Sequence, residues 1–151
     1  MDKLEVLRKS ELFNQLSDEQ LSVVEKMCTS QVFEPGAIVC KQDSKLDTLY
    51  VIEEGVVGIF LEVGPMYARQ VQAASSFEVV GWSGLIEPFT CTATVKAIEK
   101  TKVLAFDARE LRRLFVTEPE IGYKIGPAIG NVVAKRLRHA YTQLLGVSSQ
   151  D

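Results

Sequence analysis

The sequence predicts a mainly β protein with helices at both ends, an α+β jelly roll. Three observations carry that expectation. Over residues 31–107 the chain breaks into about eight short runs of alternating or apolar residues, separated by glycine, proline and other turn formers. No helical period separates those runs, so the strands lack the crossovers of a parallel sheet and must close on themselves. On either flank the apolar spacing changes to three and four. The expected organisation is a single domain, with helices over 1–30, a β-roll over 31–107 and helices over 108–151.

Taken in order, Leu4 and Leu7 mark a short first helix. Ser17 and Gln20 make a capping box, with Leu16 and Leu21 placed as its hydrophobic staple. Leu21, Val24, Met27 and Cys28 continue as one helical stripe. Strands are expected from residue 31 onward, at 37–41, 47–53, 56–63, 67–73, 77–80, after Pro88, and at 101–106. Glu54-Gly55 reads as a tight hairpin and Gly64-Pro65 as a further turn. Asp107 and Glu110 repeat the capping pattern ahead of Leu111, Leu114 and Phe115. Thr117-Glu118-Pro119-Glu120 is expected to cap a last helix running to about Leu145. Its stripe is Ile121, Ile125, Ile129, Val133, Leu137, Ala140 and Leu144, the last four at coiled-coil-like spacing. Pro127 removes a helical hydrogen bond there and predicts a kink or restart. The tail from Gly146 is expected to fray.

Composition narrows the function classes. A hydrophobic share of 46% and a charged share of 25% suit a soluble globular domain. The net charge of −3 gives no overall attraction to nucleic acid or anionic membrane. The N-terminus lacks the apolar run of a signal peptide, and no stretch is long and apolar enough to span a bilayer. Cys28, Cys40 and Cys91 are odd in number and distant in sequence, which suggests free thiols in a reducing compartment, the cytoplasm. The sole histidine, His139, cannot make a metal cluster, and Cys91 with His139 is a poor axial pair for haem. No nucleophile–base pair, paired carboxylates or P-loop occurs, so neither a cofactor nor an enzyme is expected.

Residues 79–97 carry the most information. A strand end, Val79-Val80, runs into Gly81-Trp82-Ser83-Gly84-Leu85, which reads as one short helical turn with free backbone N–H groups. After Pro88 the parity puts Cys91, Ala93, Val95 and Ala97 on one face and Thr92, Thr94 and Lys96 on the other. By itself such a turn is only a turn.

Together with Glu11-Leu12-Phe13, Pro35-Gly36, Leu49-Tyr50-Val51-Ile52, Gly55-Val56-Val57, Thr92-Ala93-Thr94-Val95 and Asp107 with Leu111, however, the chain resembles the cyclic nucleotide-binding domain, the sensor half of catabolite activator and Fnr-type regulators. The likeness covers about residues 10–145 and implies the double-stranded β-helix of that family. It also implies a ligand site on Gly81, Trp82, Ser83, Gly84, Leu85, Cys91, Thr92 and Ala93, closed by Arg136 on the last helix. Members that bind cyclic AMP place a glutamate for the ribose hydroxyl and an arginine for the phosphate where this chain has Trp82 and Cys91. Losing one partner of a buried charge pair costs about 2–5 kcal/mol, and each ~1.4 kcal/mol is tenfold in affinity. The expectation is a sensor of some other small molecule, acting as a homodimer through the last helix and on a separate effector protein. The alternative is a dimerisation or docking module in which Trp82 fills a vacated pocket. DNA-binding members continue into a helix-turn-helix. With the sequence ending at Asp151 and Lys135-Arg136-Leu137-Arg138-His139 read as a solvated face, no direct DNA binding is expected.

Overall fold

The structure, a computed structural model, describes residues 1–146. Two helices, α1 (Lys3–Lys9) and α2 (Asp18–Glu25), precede eight strands: β1 (Cys28–Phe33), β2 (Ile38–Cys40), β3 (Thr48–Glu54), β4 (Val57–Gly64), β5 (Tyr67–Ala74), β6 (Val79–Val80), β7 (Thr94–Ala97) and β8 (Thr101–Asp107). A 3-10 turn, Trp82–Leu85, lies between β6 and β7, and α3 (Ala108–Thr117) and α4 (Pro119–Leu144) close the chain. The strands form two four-stranded antiparallel sheets, ordered β1-β8-β3-β6 and β2-β7-β4-β5. This is the jelly roll the sequence predicts.

Burial explains the layering. In β3, Leu49 and Val51 face the helices, while Tyr50 and Ile52 face the second sheet. The same division holds in β8, with Leu104 and Phe106 under the helices and Val103 between the sheets. The first sheet is therefore apolar on both faces, and the helices cover it because it would otherwise expose one of them. Phe13 packs against Phe106 with the two rings tilted and their centroids 5.2 Å apart, tying the N-terminal segment to that layer.

Several local expectations hold. Ser17 and Gln20 make the reciprocal capping box of α2, and Asp107 caps α3 through the Glu110 N–H. Others need correction. α2 stops at Glu25, and Cys28 opens β1, because the run Thr29–Phe33 pairs along its whole length with β8. Glu54-Gly55 is not a hairpin: β3 pairs with β8 and β6, whereas β4 pairs with β5 and β7. Gly55, at φ 114°, passes the chain from one sheet to the other so close to β8 that a Cβ would meet Thr101 Oγ1 at 2.5 Å. Thr117 ends α3 rather than capping α4, and Glu118 stands at the α4 N-cap without a side-chain bond. α4 runs unbroken through Pro127. Gly126 and Pro127 lie on its exposed face, as does Tyr123, whose carbonyl loses its helical partner where water can replace it. The buried face of α4 is Ile121, Ile125, Ala128, Val132 and Arg136, one position off the expected stripe from Ala128 onward. Most of the expected frayed tail, 147–151, lies outside the described residues.

Candidate ligand pocket

The 3-10 turn is built by what glycine permits. Gly81 sits at φ 84°, and a Cβ there would lie 2.7 Å from the Thr48 carbonyl oxygen, so only glycine lets the chain leave β6 this tightly. From the other side Arg112 of α3 donates to the Gly84 carbonyl and lies over the Phe89 ring, 4.0 Å from its centroid. The turn is thereby clamped between β3 and α3.

After the turn the chain does not enter a strand at once. β7 begins only at Thr94, and the segment before it pairs instead with the loop after β2. The Asp43 N–H donates to the Cys91 carbonyl at 2.9 Å, and the Cys91 N–H to the Ser44 carbonyl at 3.0 Å. Thr94, expected on the polar face, is buried, and its hydroxyl accepts from the Gln42 N–H at 2.9 Å.

These elements enclose a cavity of about 640 Å³, within the range of small-molecule sites. Its walls are Val79–Ser83, Cys91–Ala93 and Val95, the outer halves of β4 and β5 (Ile59, Leu61, Val63, Tyr67, Arg69, Val71), and α4 through Arg136, Ala140, Gln143 and Leu144. Gly81, Trp82, Ser83, Cys91, Thr92, Ala93 and Arg136 thus meet around one space. Gly84 and Leu85 face elsewhere, Gly84 against Leu46 and Ala108, Leu85 against the helical core. Trp82 is half-buried at the wall and leaves the cavity open.

Arg136 is the unusual side chain. It is 8% exposed, yet among the described residues it forms no ion pair. Its terminal nitrogens donate to Gln72 Oε1 at 3.3 Å, to the Ala73 carbonyl at 3.5 Å and to the Val79 carbonyl at 3.5 Å. Its buried Nε has no partner among the described residues. A buried cation whose direct contacts are long and go to neutral acceptors, with Glu78 acting on it only through space, is costly. The neighbouring Lys135 takes the carboxylates: it pairs with Glu11 and, at 2.8 Å, with Glu78. Glu11 in turn accepts from the Val79 N–H at 2.8 Å. Burial opposes ionisation of Glu78, but the Lys135 ammonium and the Ser75 N–H prevail and hold its carboxyl below the ordinary value. Lys135 is likewise penalised by burial, yet its two carboxylates raise it. α4 is therefore latched to the strand end that opens the turn.

Sequence reasoning missed Cys40, the outer rows of β4 and β5, and Gln72, whose Nε2 donates to the Arg136 carbonyl at 3.0 Å. The sequence places strands at 56–63 and 67–73 but assigns neither of them a face. Only the pairing of β4 with β7 shows that they line the site.

A family profile described as a cyclic nucleotide-binding domain matches residues 30–118, more than half of the chain. The chain belongs to the cyclic nucleotide-binding domain family. Over 91% of its length it superposes on 99% of a Geobacter metallireducens protein named as cyclic nucleotide-binding, at a TM-score of 0.79 and 26% identity. A cyclic nucleotide-binding domain from Methylobacillus flagellatus gives 0.82 at 18% identity, covering 96% of this chain and 82% of that one. The catabolite activator protein of Thermus thermophilus gives 0.73 at 22%, covering 89% and 62%. These last two show likeness of fold alone. In sequence the chain is 26% identical over 135 residues to a Rhodopseudomonas palustris protein named as a potassium channel protein. That match takes in 89% of this chain and 32% of the relative, so the chain spans about a third of the relative's length. The cyclic nucleotide-binding domain family is typically regulatory rather than catalytic, and no helix among the described residues is long and apolar enough to cross a membrane.

Proposed function

We propose that this cyclic nucleotide-binding fold works as a sensor for an anionic small molecule with an apolar body, and is not tuned for cyclic AMP. The observation that carries the reading is Arg136, a buried guanidinium with an unpartnered Nε, at the wall of an open and largely apolar cavity. Where the family's cyclic AMP binders set an arginine and a glutamate, this cavity presents Cys91 and Trp82. Its recognition charge therefore comes from α4 and not from the strand side. The ligand would rest on Gly81–Ser83 and Thr92, with its anionic end at Arg136. Charge-assisted bonds would then replace the long contacts to Gln72, Ala73 and Val79, favouring one position of α4 over another. Output would pass through the outer face of α4, to a second copy of the chain and to a separate effector protein in the cytoplasm. A Trp82 that lines the cavity instead of filling it supports this reading over a ligand-free docking module.

Calorimetry tests it, with decanoate and an arylacetate as probes, decanol as the uncharged control, and cyclic AMP and cyclic GMP as competitors for the assignment. Saturable binding of a carboxylate, absent for the alcohol and lost in Arg136→Gln, is the expected result. A cyclic nucleotide dissociation constant below about 10 µM, roughly −7 kcal/mol, would overturn the specificity and return the site to the family's usual ligand.

A further inference from the structure

Two of the three cysteines, remote in sequence, share the cavity wall. The fold brings them together in two steps. β2 pairs with β7 at Cys40↔Val95, and the loop after β2 turns back through the Ser44 N–H bond to the Lys41 carbonyl, 3.1 Å. That return places Asp43 and Ser44 against Cys91, each sharing a backbone hydrogen bond with it. Both side chains line the same cavity wall where these two segments meet, and the thiols remain unlinked.

We propose that Cys40 and Cys91 form an oxidation site in the cavity wall, Cys91 attacking a two-electron oxidant of the peroxide class and Cys40 resolving the product as a disulfide. The cavity wall brings the two thiols to one place, and how each holds its proton sets the roles. The Cys40 S–H donating to Cys91 favours the Cys91 thiolate and outweighs the burial that opposes it. Cys40, by making that donation and by burial, keeps its proton. The thiolate is the nucleophile, and a protonated neighbour is positioned to follow it. In the first step the Cys91 sulfur attacks one peroxide oxygen and the O–O bond breaks. With one proton taken up, the products are the Cys91 sulfenic acid and a molecule of water. In the second step the Cys40 sulfur attacks the Cys91 sulfur, the S–O bond breaks, and the hydroxyl leaves as water with the Cys40 proton. The two thiols have lost two electrons and the peroxide has gained them. Cys28 supplies an internal control: it sits in the helical core, its thiol donates to the Glu25 carbonyl at 3.2 Å, and burial raises it. The site rests on the geometry of the cavity wall and holds whatever ligand the cavity takes.

The experiment treats the reduced full chain with hydrogen peroxide and maps the products by peptide mass spectrometry. The expected product is an intramolecular Cys40–Cys91 link, lighter by two hydrogens, with Cys28 still open to alkylation after unfolding. In Cys40→Ser the link is lost and a sulfenic acid accumulates on Cys91, trapped by dimedone. In Cys91→Ser dimedone labelling is lost. Oxidation of Cys28 as fast as Cys91, or peroxide consumption unchanged in Cys91→Ser, would overturn the proposal. A second measurement avoids oxidation altogether: phenylarsine oxide, which bridges paired thiols, should bind the parent and neither serine variant. Failure of the folded parent to bind it would show that the two sulfurs do not act as a pair.

Discussion

At Arg136 two free energies pull in opposite directions, and they can be separated. As a recognition group the guanidinium supplies the cavity's buried positive charge; as a core group it is a cation with no direct ion pair among the described residues, only the through-space attraction of Glu78 to offset its burial. Replacing a buried charge by an apolar side chain of similar length is often neutral or stabilising. Arg136→Met is therefore expected to melt at or above the parent temperature in the absence of ligand, and to lose carboxylate binding. A clear drop in melting temperature would mean that its contacts to Gln72, Ala73 and Val79 are worth more than their lengths of 3.3 to 3.5 Å suggest. Trp82, the only tryptophan, reports on the same space. Its half-buried indole should change emission when a ligand settles beside it. Trp82→Ala should cost well under the ~3–5 kcal/mol of a fully buried tryptophan, because the side chain walls a cavity and does not fill a core. A full-sized loss, with emission that no added molecule alters, would favour the filled-pocket alternative.

Among the elements, α4 depends on an ionic latch whose sign with pH can be stated. Glu78 titrates below its ordinary value of 4.5 in the folded protein, so its contribution is present above 4.5 and is lost as pH falls through the depressed value. Lys135 titrates above its ordinary 10.5, so its contribution is complete below 10.5 and is lost as pH rises through the raised value. Thermal melts of the parent should therefore show a plateau between those limits, falling on both sides. Lys135→Met should lower the plateau by about 2 kcal/mol, the scale of a hydrogen bond to a charged group, and should remove the alkaline fall. An unchanged alkaline limb in the variant would assign that limb to other groups. The latch also marks how far the sequence could be read. Strand positions were legible because alternation and turn residues are local signals. Partners were not: Glu54-Gly55 has the look of a hairpin, and only the pairing of β3 with β8 and β6, together with the burial of its two faces by the helices and the second sheet, decides that it is not one. The inner face of α4 was displaced because a periodicity count takes Arg136 as polar and passes over it. The turn at Gly81 was legible as one short helical turn, since its glycine spacing is a local signal. Cys40 was not, since its meeting with Cys91 needs β2 beside β7.

For the molecule as a whole, the question is how a filled cavity becomes a signal, and α4 has two faces with which to answer. One face carries Arg136, Ala140 and Gln143 to the cavity. The other leaves Leu137 48%, Tyr141 55% and Leu145 79% exposed, beside the half-buried Val133. Val133, Leu137, Tyr141 and Leu145 are four apart and form one row, an apolar surface that the roll does not use. A second copy related by a two-fold axis would present the same row in return, so α4 is expected to pair with itself and to carry ligand contact on one face into a subunit contact on the other. Leu137→Glu sets a carboxylate at the centre of that row, opposite its own copy, where like charges repel without a counterion. Light scattering should find the parent as a dimer and the variant as a monomer. Because Leu137 is already about half exposed, the melting temperature of the variant monomer should fall little beyond what the lost association accounts for. A parent that scatters as a monomer at about 100 µM, far above the micromolar range where specific pairs assemble, would refute the pairing. α4 would then be a lid that answers to a different protein.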